Sequence, residues 1–266
     1  FASNCNWYTG ARLTGNKYVF TDSSGSEGGP ADDMVWDSNL GIWANGGGTT
    51  AWQSWMWKRH AGFDVVTWKG NAVEGRHIPH NLSKIPEMMW VKSRSDNADW
   101  MVYHKGLNGG TNPEQYHLHL NTAAGESQSI NAWNNQAPTS THFIIDDTDQ
   151  VNEDGDKFIA MLFASVDGIS KVGYYDGSDS AQTITTGFQP RFVIIKNVTQ
   201  DNENWITFDT TRGWGSGSDE FLYINTTAAQ NGTWDWGAPT STGFTLTSTN
   251  DTYNSAGEKF IYYCHA

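Results

Sequence analysis

Positive charge is scarce in this sequence of 266 residues: 16 Lys and Arg stand against 29 Asp and Glu, a formal charge of −13. A surface with that balance repels phosphate backbones and anionic headgroups, so no nucleic acid and no membrane is expected as a partner. Long apolar runs are missing as well, and none approaches the ~20 residues that a membrane helix needs. Cysteine is nearly absent, with only Cys5 and Cys264 near opposite ends of the chain. They could close one disulfide in an oxidising compartment if their β-carbons came within roughly 4 Å, and two free thiols are the equal alternative. Charged residues of both signs make up just 17% of the chain. The polar surface therefore falls to Asn, Thr, Ser, Gly and Gln, a composition shared with extracellular and virion β-proteins. No initiator Met or signal-like segment stands at Phe1, so a processed product or a piece of a longer protein is expected.

Aromatic residues, by contrast, are abundant at 14%, with 14 Trp. Rings of that size favour half-buried strands and interfaces over helices. No window keeps a helical period, because Gly, Asn, Asp, Ser and Pro interrupt too often. Short segments rich in β-branched and aromatic residues lie between those breaks. They predict strands at 64–69, 76–80, 87–92, 100–104, 116–120, 142–145 and 157–164. A second set is predicted at 171–175, 182–186, 191–196, 205–208, 220–224, 245–247 and 259–264.

The two sets are versions of one another. Ala137–Thr141 (APTST) recurs at Ala238–Thr242, Gly155–Ala164 (GDKFIAMLFA) reappears as Gly257–Ala266 (GEKFIYYCHA), and Pro86–Lys92 matches Pro190–Lys196. Trp100–Tyr103 and Trp205–Phe208 correspond in the same order. Self-similarity of this kind marks a tandem architecture. The fold class expected is all-β, as tandem antiparallel β-sandwiches of jelly-roll-like topology, with repeats at 62–166 and 167–266. Upstream, Trp52–Gly62 aligns with Phe158–Gly168, and Tyr18–Thr21 resembles Leu222–Asn225. Residues 1–61 are therefore expected to be the C-terminal half of an earlier copy, whose open strand edges must be completed in cis or by a neighbouring subunit.

The phrases from Phe63 to Gly106, with YHLHLNTAA, APTSTHF and GDKFIAMLFASVDGISKVGYYDG, resemble a tandem-repeat domain of unknown function. That domain is found in tail-fibre and structural proteins of marine and cyanobacterial phages. The likeness covers roughly 38–266; Cys5, Trp7 and the acidic Gly-rich loop before it match nothing in it. It implies a virion component in an extracellular appendage and carries no catalytic residues.

Chemistry-bearing residues can be weighed by comparing the copies. His117 and His119 share a strand face, a spacing that can hold a metal, but Phe221 and Tyr223 stand at the matching places. An aromatic packing position explains both, and no metal or cofactor is expected. The acidic run Asp146, Asp147, Asp149, Glu153, Asp154 and Asp156 lacks EF-hand spacing and keeps only Asp251 and Glu258 in the second copy. Glu87, a candidate glycosidase carboxylate, corresponds to Arg191, and Glu114 lies in a variable loop. No nucleophile elbow, phosphate loop or metalloprotease motif is present in the sequence, and the chain is read as a non-enzyme.

Tryptophan is the best lead to function, because exposed indoles stack on sugars and anchor interfaces. Trp133, Trp214, Trp234 and Trp236 fall in or beside loops and are expected to be exposed, for ligand contact or packing between repeats. Trp52, Trp55 and Trp57 crowd one expected strand, Trp55 and Trp57 on one face and Trp52 on the other. The functional expectation is a structural and adhesive virion protein, a tail-fibre or appendage subunit. Its partners would be copies of itself, other virion or filament subunits, or host surface glycans. A monomeric carbohydrate-binding module is the alternative, and a glycan depolymerase a third.

Overall fold

The computed structural model describes residues 5–29, 53–60, 62–215, 217–247 and 250–266, and the backbone of 34–38 and 41–44. Strands β1 (Tyr8–Thr9) and β2 (Val19–Phe20) pair with each other, as do β3 (Met34–Ser38) and β4 (Gly41–Ala44). Next come β5 (Phe63–Lys69), β6 (Arg76–Pro79), β7 (Met88–Ser93), β8 (Met101–His104), β9 (Tyr116–His119), β10 (Ser127–Gln128), β11 (His142–Ile145) and β12 (Lys157–Phe163). The last set is β13 (Ser170–Asp176), β14 (Gln182–Thr185), β15 (Phe192–Asn197), β16 (Ile206–Asp209), β17 (Phe221–Tyr223), β18 (Pro239–Thr240), β19 (Gly243–Leu246) and β20 (Lys259–His265). The strands read from sequence between 62 and 266 are all found, shifted at most a couple of residues at their ends.

The fold is all-β and antiparallel. One large sheet runs β10-β9-β8-β7-β12-β5 and is accompanied by the pair β11-β6. The other runs β13-β20-β15-β16-β17 and is accompanied by β14-β19-β18. Read from its far edge, β17-β16-β15-β20-β13 repeats β9-β8-β7-β12-β5 strand for strand. In each, three strands joined as a meander lie beside the final strand, which returns to sit between the third and the first.

Alternation of side chains then divides each large sheet into two buried faces. Met89 and Val91 of β7 point with Tyr103 and Leu162 toward Ile78, Phe143 and Ile145 of the small sheet. Val193 and Ile195 of β15 do the same with Phe208 and Tyr262, against Ile184 and Phe244. The opposite faces meet in a single shared core: Met88, Trp90, Trp100 and Met161 from one sheet, Phe192, Ile194, Trp205 and Tyr263 from the other, and Val19 from β2. Each side chain so buried contributes roughly 1.5–3 kcal/mol. Double coverage explains why β7 and β15 read as unbroken apolar runs rather than as alternating strands.

One open alternative is decided and one expectation fails. Cys5 and Cys264 form no disulfide: both are free, Cys264 buried between β20 and its small sheet and Cys5 exposed. Burial pushes the Cys264 thiol up to about 12, which makes it an inert packing group. Residues 53–59 are not in a strand, so the strand expected for Trp55 and Trp57 is not formed there; Trp52 lies outside the described residues. Among the described residues no helix is long and apolar enough to cross a membrane.

Candidate functional site

Three tryptophans immediately precede short strands and carry the same hydrogen bonds. The amides of Trp7, Trp100 and Trp205 donate to Oδ1 of Asp22, Asn121 and Asn225 at 2.9, 2.9 and 3.0 Å. The residue before each of these acceptors returns its amide to the tryptophan carbonyl: Thr21 and Leu120 at 3.2 Å, Ile224 at 3.1 Å. Each place therefore has an Asx side chain clamping two strand ends that the ladder alone would leave open. Four residues before each acceptor begins an aromatic pair, Tyr18/Phe20, His117/His119 and Phe221/Tyr223. Their ring centroids lie 5.2, 5.1 and 5.3 Å apart.

The indoles of the same three tryptophans reach outward. Trp100 Nε1 donates to Phe20 O at 2.7 Å, Trp205 Nε1 to His119 O at 3.1 Å, and Trp7 Nε1 to Thr226 O at 3.0 Å. The first large sheet thus grips β2, the second grips the first, and the N-terminal hairpin grips the second, which closes a ring. The Thr21 hydroxyl adds a bond to Ile224 O at 2.7 Å across the same joint. Trp7 matched nothing in the sequence comparison, because the hairpin connecting β1 and β2 is shorter than its counterparts. Its signal was a Trp followed by an Asx residue after one intervening hairpin.

Trp55 and Trp57 complete this joint. Inner and outer residues alternate along 53–58, with Gln53, Trp55 and Trp57 inward. Trp55 stacks on Trp7 at 5.3 Å and 15°, packs on Phe192, lies under the Arg212 guanidinium at 5.4 Å, and donates to Asp209 Oδ2 at 3.3 Å. Trp57 donates to the Tyr263 hydroxyl at 3.1 Å and meets Phe163 and Phe192 edge-on. Both pack against the core that the two large sheets share.

The loop tryptophans divide differently from expectation. Trp133 is buried and donates to Tyr116 O at 3.1 Å; Trp214 and Trp236 are buried against Phe208 at 5.9 Å each. These three were expected to be exposed, and they are not, because each loop folds back over the gap between its large and small sheets. Trp234 alone of the four is open, at 66% exposure.

Several buried polar groups went unnoticed in the sequence. Lys92 and Lys196, at matching places on β7 and β15, are fully buried, and burial lowers each ammonium to about 8. Lys92 Nζ donates to Ser93 O and Asp96 O at 2.6 and 3.1 Å, and Lys196 Nζ to Glu203 O and Ala123 O at 2.8 and 3.3 Å. Of these, the Lys196 bond to Ala123 O reaches from the second large sheet to the segment that follows β9 of the first. His104, buried at the end of β8, faces Tyr262 O at 3.3 Å and is held neutral by burial, down to about 3. His117 is lowered to about 4 by burial and by neighbouring His119. Among the described residues no three His, Cys, Asp or Glu side chains gather as a metal site would require.

One open pocket of about 190 Å³ adjoins the tryptophan joint, lined by Gln53, Trp55, Arg191, Asp209, Thr211 and His265. Asp209 at its rim accepts from Arg212 Nε at 2.5 Å and from Trp55 Nε1 at 3.3 Å.

No curated protein and no solved structure matches this chain. A family model described as a domain of unknown function (DUF7483) matches residues 18–266, which takes in β2, all sixteen strands after residue 62, and the Asx clamps at Asp22, Asn121 and Asn225. The chain belongs to the DUF7483 family.

Proposed function

We propose that this protein is a non-enzymatic structural and adhesive module, an appendage subunit of a virion or comparable extracellular filament. In this reading 62–166 and 167–266 are successive copies of one sandwich, and the residues before 62 are a third, partial copy seated against both. Its partners are copies of itself or other subunits, with loops held toward host surface glycans. The observation that carries the reading is the closed ring of indole hydrogen bonds from Trp7, Trp100 and Trp205 to main-chain carbonyls of neighbouring units. Tandem domains pivot by default unless their interface is large and apolar. Here the interface is a shared core with donors aimed across it, which suits a part that must transmit force without bending.

The test is the mass of the native assembly at working and diluted concentration, run beside a glycan-array screen. An oligomer that persists on dilution supports the subunit reading. A monomer at every concentration that binds sugar instead supports a carbohydrate-binding module, for which the specific observation is Trp234, exposed beside Asp235 on a loop.

A further inference from the structure

Counted back from the shared APTST phrase, Trp133 and Trp234 hold the same place, each four residues before its alanine. Their surroundings differ. Trp133 fills the gap between its sheets, edge-on to Tyr103 at 6.0 Å, with Nε1 donating to Tyr116 O. In the second repeat that task falls to Trp236, 5.9 Å from Phe208 and 4.9 Å from Phe221, helped by Trp214. Trp234 is thereby released from packing. Its side chain is open to solvent, and among the described residues no ring stacks on it and nothing accepts from its Nε1.

An indole left over in this way need not be held in place, yet this one is. Asp219 donates its amide to Trp234 O at 2.8 Å, and its wholly buried carboxylate accepts from the amides of Gly215 and Trp236 at 2.9 and 2.7 Å. Phe221 and Asn231 exchange amide bonds at 2.8 and 3.2 Å. The Thr247 hydroxyl ties the residue after the ring, donating to Asp235 O at 2.8 Å. A ring carried on so tied a backbone loses little conformational freedom when something stacks on it.

The polar side chains beside it are of both kinds. Asn231, Thr233 and Asp235 are all exposed. The Thr233 hydroxyl donates to Asn231 Oδ1 at 3.1 Å, which leaves Asn231 Nδ2, a donor only, with no acceptor among the described residues. Gly237 donates to Asp235 Oδ1 at 3.2 Å and fixes a carboxylate that only accepts. A cation would call for acceptors alone, and an anion for donors alone. A donor and an acceptor beside a flat apolar face suit a molecule whose hydroxyls do both and whose C–H bonds line one side.

The geometry points to a binding site for a neutral pyranose in the second repeat alone, with the sugar's C–H face on the Trp234 indole and its hydroxyls bonded to Asp235 and Asn231. The inference rests on the glycan arm of the reading above and narrows it to uncharged saccharides, one per chain.

The test titrates the full chain, isotope-labelled at its indole nitrogens, with the methyl pyranosides of glucose, galactose and mannose at millimolar concentrations. Sialic acid and choline serve as the anion and cation for comparison. The Trp234 resonance is the one absent from Trp234→Phe, and calorimetry reads the variants. At least one neutral sugar should shift that resonance and saturate at one site per chain. Trp234→Ala should abolish binding, Asp235→Asn should weaken it several-fold, and Trp234→Phe, which keeps a platform, should retain part of it. The ring is exposed, so the unfolding midpoint should not move in these variants, and lost binding is then not lost folding. No shift with any of the three sugars, a larger response to choline or sialic acid, binding that survives Trp234→Ala, or two sites per chain would overturn the site. Those results leave an assembly that persists on dilution, and with it the subunit reading, untouched. An assembly that dissociates while Trp234 answers to sugar sinks the subunit reading and keeps this site.

Discussion

His104 illustrates how single residues at the joint are committed. Its Nδ1 accepts from the Gly106 amide at 2.9 Å and its Nε2 faces Tyr262 O. An amide only donates and a carbonyl only accepts, so the ring must carry its proton on Nε2. A second proton would have to displace the Gly106 bond in a buried site. His104 and His117 are held at about 3 and about 4, below the ~6.5 of a solvated histidine. The unfolded chain therefore takes up protons first as pH falls. Their contribution to stability is complete above about pH 6.5 and is lost on the way down to the folded values. At pH 5 each should cost about 2 kcal/mol. Denaturant midpoints at neutral pH and at pH 5 measure this, and His104→Gln should shrink the difference by its share of about 2 kcal/mol; an unchanged difference in that variant would remove His104 from the account.

At the scale of elements, the recurring unit is a strand end, a hairpin and an Asx side chain that clamps the tryptophan amide. Asp22 occupies the place that Asn121 and Asn225 occupy elsewhere, so the acceptor oxygen is the requirement and the amide nitrogen is secondary. Asn225→Asp should thus retain most stability, with the Asn204 carboxamide turning to donate. Asn225→Leu leaves the buried Trp205 amide without a partner and should cost about 1–3 kcal/mol. Thermal or chemical unfolding of the pair decides it. Equal losses in both variants would mean that Asn225 matters for its bond to Asn204 Oδ1, at 2.8 Å, and not for the clamp.

For the whole molecule, the shared core predicts cooperation between segments distant in sequence. Trp7 donates into the second sheet and stacks on Trp55, which in turn packs on Phe192 of β15. Removing its ring opens the joint from one end, and buried Trp→Ala changes typically cost about 3–5 kcal/mol; partial exposure of Trp7 puts the expected loss near the lower bound. Trp7→Ala should lower the midpoint of the entire chain in one transition, with secondary-structure and tryptophan-fluorescence signals still coincident. Faster exchange confined to residues 5–29, with β7 and β15 as protected as before, would show that the hairpin frays alone.

How much of this was legible beforehand follows from what repetition preserves. Fourteen of the sixteen strands after residue 62 could be read from sequence because local β-propensity, breaker residues and the duplicated phrases agreed there, whereas the two-residue β10 and β18 gave no such signal. The exposure of Trp133, Trp214 and Trp236 could not, since a loop's composition does not say whether it folds outward or over a gap between sheets. Trp7 and the clamp at Asp22 were missed because a shorter hairpin hid the correspondence that hydrogen bonds make plain. By itself the sequence determined the alternation, the strand list and the aromatic places, all of them properties of residues close along the chain. Tertiary structure alone decided which face of each large sheet meets its small sheet and which meets the shared core. That choice depends on contacts across more than two hundred residues, such as Trp7 with Thr226, where no local preference reaches.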